Sequence, residues 1–162
     1  MDFNEYFSKE QIVALIERDF PFIVKPADDE LFSVDSNDLI RRILSKEFSA
    51  IRGDQLSSEE LYCFYNEFGT ISSTAVQWIF PSFIRRIVHE PSSFDPLLDA
   101  FVFYFEHPEF EEPKSAYCFN WLTSTQAETL CRVLDHISRE TDQIVSKAIE
   151  NVTKFGDINA EG

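Results

Sequence analysis

Apolar residues recur every three or four positions along most of this chain, the spacing of helices that pack against a core. The most apolar block covers residues 94–108 and reads F-D-P-L-L-D-A-F-V-F-Y-F-E-H-P. Asp95 before Pro96 is a favoured helix start, and His107-Pro108 favours a helix end. The pattern therefore predicts a helix over Pro96–Glu106, apolar all round and buried at the centre of the fold. A buried strand over Phe101–Phe105 is the alternative, because aromatic residues and valine favour strands.

Capping signals mark the start of three further helices. Ser8, Ser57 and Thr123 are each followed three residues later by Gln or Glu, which is the spacing of a capping box. In a capping box the first side chain and the third helical side chain each bond the other residue's backbone N–H. The helix after Ser57 is predicted to continue to Gly69, a residue that favours a helix end.

Two more helices are predicted from apolar spacing. One starts near Asp35 or Ser36, and its buried face consists of Leu39, Ile40, Ile43 and Leu44. The other runs from Ile71 to His89, with a kink or two abutting helices at Pro81. Because each strong local signal is helical, we predict an all-α fold: a compact single-domain bundle of six or seven helices with a central buried helix.

The last helix is predicted to run unbroken from Ser124 to about Val152. Its apolar residues form one stripe, interrupted by Thr141, that consists of Leu130, Leu134, Ile137, Ile144, Ala148 and Val152. Such a helix would be ~45 Å long, so its C-terminal half is a candidate for projecting into a homodimer. Packing of the stripe on the protein's own core is the alternative. We expect a single helical domain over residues 1–156 and a disordered tail over Asp157–Gly162.

The net charge of the chain limits the classes of partner that it is expected to bind. Acidic residues outnumber basic ones by 29 to 14, so the 162 residues carry a formal net charge of −15. Such a surface repels nucleic acid and anionic membranes and attracts basic proteins, although it also fits a protein that is acidic only for solubility. We see no secretory signal and no apolar run of ~18 residues that would span a membrane. We therefore expect a cytoplasmic protein that binds neither nucleic acid nor membrane.

Residue spacing indicates no catalytic or metal-binding motif. His89 and His107 fall at predicted helix C-termini, and His136 falls on a face expected to be exposed. Cys63 and Cys131 lie on apolar stripes where packing is their expected role, and an odd cysteine count does not suit a disulfide framework. The chain also lacks a G-x-S-x-G turn and a glycine-rich phosphate loop. We expect a protein that is not an enzyme and needs no metal or cofactor.

The stretch from Ile87 to Pro113 carries seven acidic residues and no lysine or arginine. Several of these acids cluster around a predicted helix C-terminus, where the helix dipole disfavours negative charge. An interaction surface would explain such a cluster, and a solvated acidic loop is the alternative. The candidate partner-binding residues are Asp99, Glu106, Glu109, Phe110, Glu111 and Glu112, with Phe110 as an apolar anchor between the charges.

The segment from Ile71 to Ile137 resembles a family of small acidic bacterial proteins of unassigned function. The matching residues are Ser72, Ala75, Trp78, Phe80, Pro81 and Phe83, then the block Leu97–Phe105, then Phe119, Leu122, Thr123 and Gln126. These residues are mostly helix caps and core positions, so the resemblance implies a helical fold and carries no catalytic residue. In size and acidity the chain is also similar to bacterial immunity proteins, which neutralise toxins.

Charge and resemblance together suggest an immunity protein that blocks a basic, nuclease-like toxin by covering its active cleft. A structural or regulatory interaction module with no toxin partner is the alternative. An enzyme is the third and least favoured interpretation, because no catalytic residues stand out.

Overall fold

The computed structural model describes residues 7–65, 67–92, 95–109 and 113–160, with side chains described as far as Asp157. Within these residues the chain forms seven α-helices and no strand. They are α1 (Lys9–Asp19), α2 (Leu39–Ala50), α3 (Ser58–Tyr62), α4 (Ser73–His89), α5 (Pro96–Glu106), α6 (Ser124–Glu140) and α7 (Ser146–Ala160), with a short 3₁₀ helix at Asp28–Glu30. The predicted all-α bundle is confirmed.

Helix α5 has the predicted bounds and supplies the centre of an aromatic core. Its inward residues are Leu97, Leu98, Phe101, Val102, Tyr104 and Phe105, all buried. The Phe101 ring lies 5.9 Å from Phe80, 5.4 Å from Phe83 and 5.3 Å from Phe105 between ring centroids. These separations are typical of favourable aromatic pairs. The strand alternative for this segment is wrong, because the whole segment is helical.

The start of α5 is fixed by a buried carboxylate. One oxygen of Asp95 accepts hydrogen bonds from the Leu97 amide at 3.0 Å and the Tyr62 hydroxyl at 2.7 Å. The other oxygen accepts from Arg86 at 3.0 Å. The Asp95 side chain is only 5% exposed, and a carboxylate that deep needs such partners. This one side chain therefore links the end of α3, the end of α4 and the start of α5.

A second polar cluster joins α1 to α6. The capping box at Ser8 forms as predicted, and α1 ends at Asp19. The backbone carbonyl of Asp19 accepts from Gln126 at 2.9 Å, and its carboxylate accepts from Thr129 at 2.5 Å and Arg18 at 2.6 Å. Gln126 also completes the predicted capping box with Thr123. Two side chains of α6 therefore hold the end of α1 in place by donating hydrogen bonds to Asp19.

The prediction of one unbroken C-terminal helix is wrong. Helix α6 ends at Glu140, the Thr141 hydroxyl donates to the Ile137 carbonyl at 2.8 Å, and α7 begins at Ser146 and packs on α6 and α5. Five of the six stripe residues are fully buried within this hairpin, whereas Ile144 is 79% exposed in the connection. The stripe therefore packs on the protein's own core, and the projecting helix that suggested a homodimer does not form. Helix α7 also continues to Ala160, so it includes residues 157–160 of the predicted tail; residues 161 and 162 lie outside the described residues.

The smaller helices also differ from the predictions. Helix α2 begins later, at Leu39 with Asp38 as its cap. Leu39 and Ile43 are 60% and 50% exposed, so the predicted buried face is wrong for these two residues. Leu44 is buried as predicted, and Phe48, one turn further along, is buried with it. Helix α3 stops at Tyr62 and not at the predicted Gly69. Helix α4 is a single helix that contains Pro81, so two abutting helices do not form there.

The contrast between two phenylalanines on α5 gives a stability test. Phe101 is 0% exposed, whereas Phe103 is 51% exposed. Phe101→Ala removes a fully packed ring, and we expect it to lower the free energy of unfolding by about 3–5 kcal/mol. Phe103→Ala is the same substitution at an exposed position, and it should lower the free energy of unfolding by less than about 1 kcal/mol. Urea denaturation followed by circular dichroism measures both values; equal losses would contradict the assignment of Phe101 to the core.

The cluster at Asp19 predicts a pH dependence. Hydrogen bonds from Arg18 and then Thr129 lower the pKa of the Asp19 carboxyl, although burial opposes them. A carboxyl with a lowered folded pKa stabilises the fold above its unfolded pKa, and that contribution is lost as the pH falls through the folded pKa. We expect Asp19→Asn to lower the free energy of unfolding at neutral pH, and its difference from wild type to shrink below about pH 4.

Urea titrations of both proteins from neutral to acidic pH measure this difference. Asp54→Asn, at an exposed position in the loop before α3, is the matched control. We expect its difference from wild type to stay small and nearly constant across the pH series. A constant difference for Asp19→Asn would show that the carboxylate does not stabilise the contact between α1 and α6.

Candidate functional site

One face of α5 points away from the core. It carries Asp99, Phe103 and Glu106, which are spaced four and three residues apart and so share one side of the helix. Asp99 and Phe103 are exposed, and Glu106 is half-buried. The prediction that α5 is apolar and buried all round is therefore wrong for this face. An acidic pair with an exposed aromatic ring between its members is presented to solvent.

Contacts at both ends hold this face in place. The Phe103 ring lies 4.1 Å from the ring of His107, the residue that caps α5. The Asp99 carboxylate accepts a hydrogen bond from Gln143 in the connection between α6 and α7, at 2.5 Å. After the helix, the Glu109 amide donates to the Tyr117 carbonyl at 3.0 Å. The chain on either side of Phe103 is thus anchored to neighbouring segments.

An open groove of about 380 Å³ lies along this face and is called the aromatic groove below. It is lined by Tyr65, Phe68, Pro96, Asp99, Ala100, Phe103 and Tyr117. A second cavity of about 680 Å³ adjoins it and is lined by Ser33, Val34, Gly69, Glu109, Pro113, Lys114, Ser115 and Tyr117. Tyr117 lines both, and Asp99 lines the first of them and Glu109 the second.

The pKa of Tyr117 is shifted by its surroundings in this region. Burial raises the pKa of its hydroxyl, and the negative charge of Glu109 raises it further. Both effects disfavour the phenolate, the first by desolvation and the second by repulsion between like charges. Tyr117 is further packed against Phe68 and Tyr104, with ring centroids 6.3 and 5.5 Å apart. The Tyr117 ring is therefore neutral at physiological pH and packed in place.

The predicted binding residues divide into two groups. Asp99, Glu106 and Glu109 lie on or beside the outward face of α5, and Asp99 and Glu109 line adjoining cavities. Phe110, Glu111 and Glu112 lie outside the described residues. The rings that line the groove were not predicted as binding residues; they belong to Tyr65, Phe68, Phe103 and Tyr117. For Phe103 a signal existed, because it is spaced at helical intervals between two acidic residues.

The other candidate chemical groups are dispersed. His89 and His107 lie at helix C-termini as predicted, but His136 is buried at 9% exposure and not solvent-exposed. Phe7 and Ile12 of the N-terminal segment line a small pocket together with His136, on the face that was expected to be open. Cys63 is exposed at the end of α3 and not on a buried stripe, and Cys131 is buried as predicted. Burial raises the pKa of Cys131, which makes its thiol a poor nucleophile.

The three cysteines, among them Cys118, are free thiols. In the part of the chain that the structure describes, no group of three or more His, Cys, Asp or Glu side chains is arranged to hold a metal ion. Within the same residues, each helix is too short or too polar to span a bilayer.

No family model, curated protein or solved structure matches this chain, so the resemblance noted from the sequence stays a hypothesis.

The proximity of Glu109 to Tyr117 can be tested directly. Glu109→Gln removes a negative charge, so the pKa of Tyr117 should fall towards the ordinary tyrosine value. It should stay above that value, because burial is the larger cause of the shift. NMR of tyrosine labelled at Cζ follows each phenol through an alkaline titration. Glu106→Gln is the control and should leave the Tyr117 midpoint unchanged; an equal shift in both variants would place Glu109 away from this ring.

Proposed function

We propose that this chain is a binding protein that neutralises a basic, nuclease-like toxin by covering the toxin's active cleft. The observation that carries the proposal is the outward face of α5, where Asp99 and Glu106 flank the exposed Phe103 beside the aromatic groove. Acidic residues give such a face its charge complementarity to a basic protein, and aromatic rings give it contact area.

The chemistry of a nuclease explains the choice of partner. A nuclease cleft is positively charged because it holds phosphate groups. An acidic protein can occupy such a cleft in place of nucleic acid, and attraction between opposite charges speeds the encounter. Between Ile87 and Pro113 the chain carries no lysine or arginine, so no basic side chain of this segment would repel a basic partner.

Hydrophobic anchoring is the second requirement of a tight inhibitor. Interfaces gain most of their affinity from a few well-packed aromatic or arginine side chains near their centre. Phe103 is 51% exposed on α5, and burying a ring of that kind under a partner is favourable. The proposed partner is a basic protein and not a second copy of this chain, because the C-terminal stripe that suggested a dimer is packed within the monomer. The proposed setting is the bacterial cytoplasm.

A genetic experiment tests the proposal. The gene directly upstream of this chain is expressed alone and together with this chain, and growth is measured. We expect growth arrest by the upstream product and rescue by co-expression. Purified chain should then inhibit nucleic acid cleavage by the purified upstream product. An upstream product that is harmless, or that this chain leaves active, would favour the alternative of a structural or regulatory interaction module.

Association kinetics test the role of the acidic face. The variant Asp99→Asn/Glu106→Gln/Glu109→Gln should slow association with the toxin by on the order of tenfold at low salt, because steering of the encounter is lost. Its association rate should also depend less on salt concentration than that of the wild type. Each single substitution should cost less than about 1 kcal/mol of binding free energy, as exposed ion pairs do.

Stopped-flow fluorescence across a salt series measures these rates. The control variant is Asp28→Asn/Asp29→Asn/Glu30→Gln, which removes the same number of charges from an exposed 3₁₀ helix. It should keep a larger association rate and a steeper salt dependence than the α5 variant. Equal effects of the two variants would show that overall charge, and not the α5 face, guides the partner.

A further inference from the structure

The aromatic groove is lined by aromatic rings and by a carboxylate, a combination that differs from a purely apolar docking site. Four of its lining side chains are aromatic, from Tyr65, Phe68, Phe103 and Tyr117, and Asp99 is a charged residue among them. The rings come from three separate parts of the chain, namely the segment after α3, helix α5 and the segment before α6. They therefore converge through the fold and do not simply follow one another in sequence.

Aromatic rings attract cations. The face of each ring carries the negative part of its quadrupole, and a cation within about 6 Å of the ring centre is stabilised by it. The Asp99 carboxylate adds a full negative charge to the same groove, and Glu109 lines the adjoining cavity together with Tyr117. Both contributions favour a positively charged occupant.

The fixed orientation of Asp99 excludes two other kinds of occupant from the groove. Its Oδ1 atom accepts from Gln143 at 2.5 Å, which holds the carboxylate in place. A carboxylate accepts several hydrogen bonds, so Oδ2 can still receive one from a bound group. An apolar occupant would remove Asp99 from water without replacing its hydrogen bonds, which is unfavourable. A second copy of this chain would bring a like-charged surface with a net charge of −15 against the groove.

Among biological cations, arginine fits this arrangement best. Its guanidinium is planar, stacks on aromatic faces and presents five N–H donors to carboxylates. A lysine ammonium is more strongly hydrated and has no flat face to stack. We propose that the aromatic groove receives an arginine side chain of the basic partner, which stacks on the rings of Phe103 and Tyr117 and pairs with Asp99. This inference rests on the proposed function, because it identifies the partner residue that anchors the complex.

The test uses short blocked peptides and not the partner itself. Acetyl-Gly-Arg-Gly-amide is compared with the same peptide containing citrulline, which has nearly the same shape but no charge, and with one containing norleucine. Backbone NMR shifts of this chain are followed during each titration. We expect the arginine peptide to shift the amides of Asp99, Ala100, Phe103 and Tyr117 saturably. Its affinity should exceed that of the citrulline peptide by about two- to fivefold or more, as expected for an exposed cation–aromatic contact.

Two variants separate the contributions of ring and charge. Phe103→Leu keeps an apolar side chain without a ring, and Asp99→Asn keeps a hydrogen-bond acceptor without a charge. Each should lower the affinity for the arginine peptide by about two- to fivefold and reduce its preference over citrulline. Asp29→Asn, an exposed acid outside the groove, is the control and should leave both unchanged.

Equal affinity for the arginine and citrulline or norleucine peptides would overturn the inference and leave an apolar groove. Shifts that appear outside the groove, or no saturable shift at all, would also overturn it. These outcomes do not decide the proposed function, because toxin neutralisation is measured separately by growth rescue. Conversely, a chain that selects arginine in this groove but fails to rescue growth would retain the binding site and lose the toxin as its partner.

Discussion

The Asp95 carboxylate sets the constraint on which the rest of the bundle depends, because it determines where α5 begins. Its bonds to the Leu97 amide, the Tyr62 hydroxyl and Arg86 join the start of α5 to α3 and α4. A shift of α5 by one residue would turn every one of its side chains by about 100° around the helix axis. The observed start places Phe101 in the core and Phe103 on the surface.

The same orientation creates both the stability of the fold and its candidate site. The inward side of α5 supplies rings that pack against α4 and the segment before α6. The outward side exposes a single ring with acids on either side of it. An exposed aromatic surface promotes association with other proteins. The negative charges beside it repel acidic proteins and attract basic ones. Selectivity would then come from charge and affinity from the rings.

Sequence patterns predicted what is decided locally and failed where distant contacts decide. The caps at Ser8, Asp95 and Thr123 depend on residues within one helical turn, and all three form. The break after α6 was missed because Ile137 and Ile144 are seven residues apart, which continues the helical period across a turn. A run of polar residues, R-E-T-D-Q at 139–143, was the available signal. For the candidate site, charge alone led to the prediction of acidic residues, whereas rings that line a groove have the same spacing as rings in a core.

The contact between α1 and α6 also imposes an order on how the protein can form. Asp19 meets Gln126 and Thr129, which follow it by 107 and 110 residues in the chain. During synthesis, α1 leaves the ribosome long before its hydrogen-bonding partners exist. Helix α1 also packs on α4, which is synthesised earlier, but its contact with α6 can form only after α6 has emerged. The domain can therefore close around α1 only after about 110 further residues have been synthesised.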